Sequence, residues 1–261
     1  MPDERRAIDL NADVGEASDD EGIAIERALL GLVTSAHIAC GGHAGDEKSM
    51  RATVQAALDD GVRIGAHPSY PDRAGFGRQP MELAASDLSA ALASQLDALV
   101  AVTASLGTKV HSVKAHGALY SEVGRGEATY EVLVGVMAER CGPDTALVLS
   151  SGTPAVSLAE DAGLTVLREG FADRAYAADG GLVSRRQPGS VYADPALARA
   201  QALALVTQGT VTAVDGSSLF IDVDTICVHG DSPHAPALAQ AVRDGLAAAG
   251  IAVRAPATRP A

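Results

Sequence analysis

The sequence of 261 residues has little that would link it to a membrane, a nucleic acid or a disulfide-stabilised fold. It contains only three cysteines and no CxxC pair, which is typical of a reducing cytoplasm and argues against a thiolate zinc site. No apolar run approaches the roughly 18 residues of a membrane span, and we expect no signal peptide. The net charge of −13 argues against nucleic acids and anionic membranes as partners, because these bind basic patches.

Three common catalytic motifs are also missing from the sequence. There is no GxxxxGK[ST] phosphate loop, so any ATP would bind in another way or on another subunit. The GxSxG turn of serine hydrolases and the HExxH spacing of metalloproteases are absent as well. A metal site would therefore depend on residues that the fold brings together.

Short apolar runs alternate with longer segments of helical periodicity. The short runs predict strands buried on both faces, at 7–10, 35–39, 62–66, 111–115, 146–149, 165–167 and 225–228. The longer segments predict helices at 46–60, 86–106, 127–140, 153–162, 194–208 and 235–249, the first two capped by Asp46 and Ser86. Near the end, Asp215–Gly216 between β-rich flanks predicts a hairpin.

This alternation predicts an α/β fold of parallel β/α units, closed as a barrel or left as an open sheet. We find no linker composition, so we expect one domain over residues 1–261, with 255–261 as a frayed tail. In either arrangement, ligands bind at the carboxyl ends of the strands. Motifs that directly follow the strands are therefore expected to share one rim.

Four histidine motifs follow predicted strands. They are HIACGGHAGD at 37–46, IGAHPSYPD at 64–72, VKAHGALY at 113–120 and ICVHGDSPH at 226–234. We predict that His43, His67, His116 and His229 lie on the rim. Imidazole and carboxylate ligands at a barrel mouth are a common catalytic zinc arrangement, so a metal stays one of the alternatives.

Acidic side chains are expected on the same rim. IDLNADVGE supplies Asp13 and Glu16 after the first strand, and Asp231 follows His229 by two residues. Grouped carboxylates are costly unless cations, a metal or backbone N–H groups compensate their charge. The alternatives are turns and helix caps, which also apply to Asp46. Asp231 could orient His229 as a base or cap the last helix.

Lys114 is the least ordinary residue among the strand candidates. It lies in an apolar segment and shares a strand face with His116. A buried lysine needs a carboxylate partner or a function. It could pair with Asp13 or Glu16, hold a substrate carboxylate, or act as an acid or base with a lowered pKa.

Two long loops carry the remaining candidates. In GAHPSYPDRAGFGR, Asp72, Arg73 and Arg78 could form a fork for a carboxylate, or ion pairs that only order the loop. The second loop follows the sixth strand and carries Glu169, Asp173 and Arg174, and we interpret 171–193 as a lid or a contact with a partner protein.

In this order, the motifs DLNADVGE, ACGGHAGD, GAHPSYPDRAGFGR, VKAHGALY, FADRAYAADGGLVSR and CVHGD resemble the signature blocks of the LamB/YcsF family. The resemblance covers roughly residues 8–232. It implies a single-domain, seven-stranded β/α barrel of the glycoside hydrolase and deacetylase type. It also implies ATP-dependent opening of 5-oxoproline to L-glutamate with partner subunits B and C, which would bind ATP wholly or partly.

By the same resemblance, fourteen polar residues are expected at the site. The catalytic group is Asp13, His43, His67, Lys114, His116, His229 and Asp231, and the substrate-binding group is Glu16, Asp46, Asp72, Arg78, Glu169, Asp173 and Arg174. If a divalent metal is bound, its ligands would be Asp13, His43, His67 and His116. In the expected mechanism, His116 or His67 acts as general base on water after ATP has activated the lactam.

The chain departs from the family pattern at Ala12, His37, Gly42, Ala115 and Ser121, which bears on the choice of substrate. We expect His37 to add a polar group near the mouth. Two other functions stay open: a stand-alone metal-dependent hydrolase or deacetylase, and a non-catalytic subunit that positions its partners. A cytoplasmic location is expected, and a homo-oligomer stays open.

Overall fold

A computed structural model describes residues 7–256, which form a β/α barrel around one continuous hydrophobic core. The strands are β1 (Ala7–Val14), β2 (Ser35–Ala39), β3 (Arg63–His67), β4 (Ser112–Val113), β5 (Ala146–Ser150), β6 (Val166–Phe171), β7 (Thr210–Thr212), β8 (Ser218–Phe220), β9 (Thr225–Cys227) and β10 (Ala252–Val253). The helices are α1 (Asp20–Leu30), α2 (Glu47–Asp59), α3 (Ala85–Ser105), α4 (Gly117–Gly124), α5 (Ala128–Cys141), α6 (Pro154–Asp161), α7 (Pro195–Gln208) and α8 (Ala235–Ala248).

The barrel is closed by seven parallel strands. Their order is β1-β2-β3-β4-β5-β6-β9, and β9 pairs back to β1. The strands β7 and β8 form a separate antiparallel hairpin, and Asp215–Gly216 lies in the turn between them. These findings confirm the predicted seven-stranded barrel and its late hairpin. The prediction of one domain over residues 1–261 is not tested, and most of the expected frayed tail lies outside the described residues.

Buried apolar faces explain why these segments adopt their structures. Every residue of β2 is buried, as expected for a strand enclosed by the barrel interior and the outer helices. The longest helix, α3, buries Leu92, Leu96 and Leu99 completely and packs against α2 and α5. By length and composition alone, α3 could also cross a membrane, but core helices share that composition.

Several element boundaries differ from the prediction. Strand β1 continues to Val14 and β6 to Phe171, so Asp13 and Glu169 lie within strands. Strand β4 spans only two residues. Its pairing with β3 continues one residue further, because the Lys114 amide donates to the Ala66 carbonyl. The strand β10 and the helices α1 and α4 were not predicted.

Of the two predicted helix caps, one is present in the structure and the other is not. Asp46 caps α2 as predicted, because its carboxylate accepts from the Ser49 amide and completes a capping box. The prediction for Ser86 was wrong. Helix α3 begins one residue earlier, and Ala84 precedes it without a side-chain bond.

Gly117 is the first residue of α4 and directly follows the site residue His116. Its φ is +60°, and a Cβ there would lie 2.4 Å from the Gly77 carbonyl oxygen. We expect Gly117→Ala to lower the free energy of unfolding by about 1–3 kcal/mol, since an L side chain is strained in this conformation. The control is Gly135→Ala in α5, where a Cβ meets nothing within 4 Å. It should be neutral or stabilising by up to about 1 kcal/mol. Equal urea midpoints for the two variants would contradict the prediction.

Candidate functional site

A cavity of about 670 Å³ opens at the carboxyl ends of the barrel strands. Ten of the fourteen predicted residues line it: Asp13, Glu16, His67, Arg78, Lys114, His116, Glu169, Arg174, His229 and Asp231. His43 and Asp173 lie directly behind this lining, in contact with Glu16 and His229. The shared rim that the strand order predicted therefore exists, and it joins residues from distant parts of the chain.

Lys114 lies at the centre of the cavity floor, buried among acceptors. Its Nζ lies 2.6 Å from Asp13 Oδ1 and 3.0 Å from Glu169 Oε1, and it donates to Asn11 Oδ1 at 3.0 Å. Although burial lowers the pKa of Lys114, Asp13, Cys227 and Glu169 together raise it well above its ordinary value. Lys114 is therefore a fixed ammonium ion, and the alternative of an acid or base with a lowered pKa is wrong.

The two carboxylates beside Lys114 have different surroundings. Burial by itself would raise the pKa of Asp13, but His67 and Lys114 outweigh it and hold that pKa well below the usual range. Glu169 receives hydrogen bonds from Lys114, from Asn11 Nδ2 at 3.0 Å and from the Tyr120 hydroxyl at 2.6 Å. Sequence reasoning missed Tyr120 as a site residue. Its position four residues after His116 was the available signal.

Three histidines and Glu16 form a compact cluster beside Asp13. Glu16 Oε1 lies 2.9 Å from His43 Nε2, and His116 Nδ1 lies 3.0 Å from His67 Nε2. Burial raises the pKa of Glu16 to about 7 and lowers that of His43 to about 3. Burial, His67 and His43 also lower the pKa of His116. These shifts favour neutral rings for His43 and His116, beside a Glu16 carboxyl group that can gain or lose its proton near neutral pH.

The loop that carries Glu16 is held by an unpredicted residue, Glu26 of α1. The Glu26 carboxylate accepts from the backbone amides of Gly15, Glu16 and Ala17, each at 2.9 Å. Burial raises the pKa of Glu26, although these three donors oppose the rise. No motif marked this residue, because its importance depends on the path of the preceding loop.

We expect Glu26→Ala to lower the free energy of unfolding by about 2–4 kcal/mol, because three backbone donors would lose their acceptor. Glu21→Ala is the matched control on the same helix, where the side chain is exposed. It should cost no more than about 1 kcal/mol. Chemical denaturation at pH 7 measures both changes, and similar values for the two variants would argue against the anchoring role of Glu26.

His229 is oriented by Asp173. Its Nδ1 lies 3.0 Å from Asp173 Oδ1, and its backbone amide donates to Asp173 Oδ2 at 2.9 Å. Although burial by itself would raise the pKa of Asp173, these contacts with His229 lower it. Both alternatives for Asp231 were therefore wrong, since it does not orient His229 and α8 begins after His234.

Arginines surround Asp231 at the cavity mouth. Arg78 and Arg185 both donate to Asp231 Oδ2, the latter at 2.8 Å. Arg174 is buried and donates to the carbonyls of Ser190 and Val183, so it holds the 171–193 loop in place. Two guanidinium groups share one carboxylate here, which leaves the mouth favourable for an anion.

The other loop residues have local structural contacts. Arg73 donates to the carbonyls of Gly41 and Gly45, and Asp72 accepts from the Gly75 amide, so the predicted carboxylate fork does not form. Asp46 lies outside the cavity lining and caps α2. In these contacts, Asp46 and Asp72 order the backbone around the site.

Two of the departures from the family pattern lie below or beside the cavity. His37 is buried inside the barrel, with Nε2 3.1 Å from Ser112 Oγ, so the expectation of a polar group near the mouth was wrong. Gly42 packs under α3, where a Cβ would lie 2.4 Å from both Gln95 Oε1 and Ser69 Oγ. A larger residue at position 42 would require these neighbours to move.

Comparisons with known proteins agree with this barrel and its motifs. Two relatives described as the A subunit of 5-oxoprolinase, from Paracidovorax citrulli and Cutibacterium acnes, are each 46% identical to the chain. Each alignment covers 95% of this chain and 98% of the relative. The lactam utilization protein from Thermus thermophilus is 39% identical, with a TM-score of 0.86 over 95% of this chain and 99% of that one.

A more distant likeness concerns the fold alone. A family 4 carbohydrate esterase from Streptomyces lividans superposes with a TM-score of 0.52 at 12% identity, over 95% of this chain and 91% of the esterase. It supports the deacetylase type of barrel. The sequence profile of the LamB/YcsF family matches residues 8–260. With this match and the close relatives, the chain belongs to the LamB/YcsF family.

Proposed function

We propose that this chain is one component of an ATP-dependent 5-oxoprolinase that opens 5-oxo-L-proline to L-glutamate, together with partner subunits B and C. The names of the relatives support the reaction, and their similarity extends over nearly the whole chain. The observation that carries the proposal is the oriented pair of His229 and Asp173, which faces a cavity with an arginine-rich mouth.

The mouth is suited to the carboxylate of 5-oxoproline. Arg78 and Arg185 share the single carboxylate of Asp231, and Arg186 also lines the cavity. Planar guanidinium groups bind carboxylates through paired hydrogen bonds. With the substrate carboxylate held here, its lactam ring extends toward His229 and Lys114 on the cavity floor.

The reaction needs activation because a lactam carbonyl is a poor electrophile. Transfer of the γ-phosphoryl group of ATP to the amide oxygen gives an imidate phosphate and ADP. Water then adds to the ring carbon, the ring C–N bond breaks, and a second water releases phosphate to leave glutamate. The total is 5-oxoproline, ATP and two waters converted to glutamate, ADP and phosphate.

His229 is suited to accept the proton of the attacking water. The Asp173 carboxylate accepts the hydrogen on Nδ1, so the other ring nitrogen, Nε2, is an acceptor. Lys114 also lines the cavity. In this proposal, its ammonium group stabilises negative charge on the reacting oxygen. This assignment moves the role of base from His116 or His67 to His229.

ATP is proposed to bind wholly or partly on the partner subunits, since this chain has no GxxxxGK[ST] loop. The relatives are named as parts of a larger enzyme, which supports a complex. The 171–193 loop is our first candidate for the contact. The cytoplasmic location and the homo-oligomer stay predictions.

The test is glutamate release from 5-oxoproline and ATP, with this chain alone and with subunits B and C. We expect activity only in the complete mixture, with one ADP formed for each glutamate. Activity of the chain alone without ATP would contradict the proposal and favour a stand-alone hydrolase. Full activity of B and C without this chain would identify it as non-catalytic.

A further inference from the structure

The hydrogen-bonding pattern of His67 and His116 leaves two lone pairs pointing at each other. His67 Nδ1 lies 2.8 Å from the Lys114 carbonyl oxygen, and His116 Nε2 lies 2.9 Å from the Phe76 carbonyl oxygen. A carbonyl can only accept, so both of these nitrogens carry hydrogen. In the neutral rings, His67 Nε2 and His116 Nδ1 are therefore both acceptors, although they lie 3.0 Å apart. Both side chains are more than nine-tenths buried.

Glu16 brings a third acceptor to the same point. Its Oε1 lies 3.3 Å from His116 Nδ1 and 3.8 Å from His67 Nε2. Three converging acceptors repel one another unless a cation lies between them. Carboxylate oxygens are also grouped here, because Asp13 Oδ2 lies 3.4 Å from the same His67 Nε2, and Asp13 and Glu169 share the single ammonium group of Lys114. A cation at this point would meet only acceptor atoms.

We propose that Glu16, His67 and His116 bind one divalent transition-metal ion, with Zn²⁺ as the ion of choice, on the cavity floor. Ligand atoms about 2.1 Å from a metal lie roughly 3.0–3.4 Å from one another. Two of the three spacings fall in this range, and the third, from Glu16 Oε1 to His67 Nε2, is 3.8 Å. The His67 and His116 rings are nearly perpendicular, at 87°, so both lone pairs can point at one ion. Their outer N–H groups donate to backbone carbonyls, as metal-ligating histidines usually do.

The fourth member of the cluster, His43, has a different role. Its ring stacks on that of His116 at 3.7 Å and is parallel within 4°. An ion in the plane of the His116 ring would then lie well outside the plane of the His43 ring. His43 is therefore a positioning residue, whose Nε2 donates to Glu16 Oε1 at 2.9 Å. Of the four ligands that the sequence suggested, the proposed set keeps His67 and His116, has Glu16 in place of Asp13, and leaves His43 out.

The ligand set also selects the ion. Two imidazoles and one carboxylate suit Zn²⁺, Co²⁺ or Fe²⁺, whereas Mg²⁺ and Ca²⁺ prefer an all-oxygen set. The three residues line the cavity, so the remaining coordination positions face the space available to substrate. The proposal does not depend on the identity of that substrate, because it concerns binding of the ion alone.

The experiment is calorimetric titration of the full-length, chelator-treated chain with Zn²⁺ at pH 7.5. We expect one ion per chain, and at least a 100-fold loss of affinity in His67→Ala and in His116→Ala. The control His234→Ala removes an exposed histidine and should bind as tightly as the wild type. His43→Gln should weaken binding by only about 10–100-fold, as expected for a residue that positions a ligand.

A spectroscopic measurement distinguishes the metal site from adventitious binding. Co²⁺ should give visible absorption bands in the wild type and in His234→Ala, but not in Glu16→Gln, which keeps an acceptor for His43. Circular dichroism checks that each variant is folded. If the wild type did not bind the ion stoichiometrically, the proposal would be overturned. A proton shared by His67 Nε2 and His116 Nδ1 would then account for their short distance. Binding that survives in both His67→Ala and His116→Ala would overturn it as well.

Discussion

Lys114→Met is expected to lower the free energy of unfolding by about 3–5 kcal/mol at pH 7, the usual cost of removing one partner from a buried ion pair. The substitution fills the space of the aliphatic stem but leaves the carboxylates of Asp13 and Glu169 without their ammonium partner. Both carboxylates are buried, so water replaces little of the lost interaction. Urea denaturation followed by circular dichroism measures the change.

The pH dependence of this variant separates lost charge compensation from lost packing. The folded-state pKa of Lys114 is raised, so its own protonation is complete below the unfolded value of about 10.4 and adds no pH dependence between pH 4.5 and 7. In the variant, Asp13 loses the ammonium group that helps to lower its pKa, so it takes up a proton more readily as the pH falls. The destabilisation should therefore be clearly smaller at pH 4.5 than at pH 7. An equal loss at both values would indicate a packing effect.

A matched control is available five residues earlier in the chain. Lys109 is exposed and lies 3.5 Å from Asp144, whose side chain is also exposed. Exposed ion pairs contribute between zero and about 1 kcal/mol. Lys109→Met should therefore change stability by no more than about 1 kcal/mol, with no marked dependence on pH. A cost for Lys109→Met as large as that for Lys114→Met would contradict the role given to burial.

Parallel β/α units could be predicted because their strands are short apolar runs, whereas the choice of a closed barrel over an open sheet came from the resemblance to the LamB/YcsF family. Because His67, Lys114 and His229 lie at or just after predicted strands, they could be assigned to one rim before their contacts were known, and all three line the cavity. Periodicity did not reveal α1, because its first turn is acidic and its buried face combines the polar Glu26 with only two apolar residues, Leu29 and Leu30. An amphipathic pattern is recognisable only where the buried face is apolar.

The partners of the rim residues could not be predicted, because strand register decides them. Asp231 is near His229 in sequence, which suggested a pair. In the barrel, β6 lies beside β9 with Phe171 opposite Cys227, and two residues beyond the ends of these strands Asp173 contacts His229. The pairing of parallel strands is long-range information that a local motif does not contain. The same limit applies to the ligands of the proposed metal, where ring orientation separates His43 from His116.

His229→Gln is expected to lower kcat of the reconstituted 5-oxoprolinase by about 10²–10⁴-fold, the usual contribution of a general base. Asp173→Asn should have a comparable effect while His229 is retained. An asparagine amide can donate to Nδ1, which would place the ring hydrogen on Nε2 and remove the acceptor. The KM for 5-oxoproline should change little in both variants, because neither side chain belongs to the arginine-rich mouth.

Arg185→Gln is expected to weaken substrate binding at the cavity mouth and to leave the chemical step unchanged. Its loss leaves Arg78 paired with Asp231 and removes the excess positive charge that we assign to the substrate carboxylate. We therefore expect a KM raised by about 10-fold or more with kcat retained, since binding there is equal in the ground and transition states. If His229→Gln raised only KM while Arg185→Gln lowered kcat, the roles of floor and mouth would be reversed. If His229→Gln kept more than a tenth of kcat, another group would have to accept the proton.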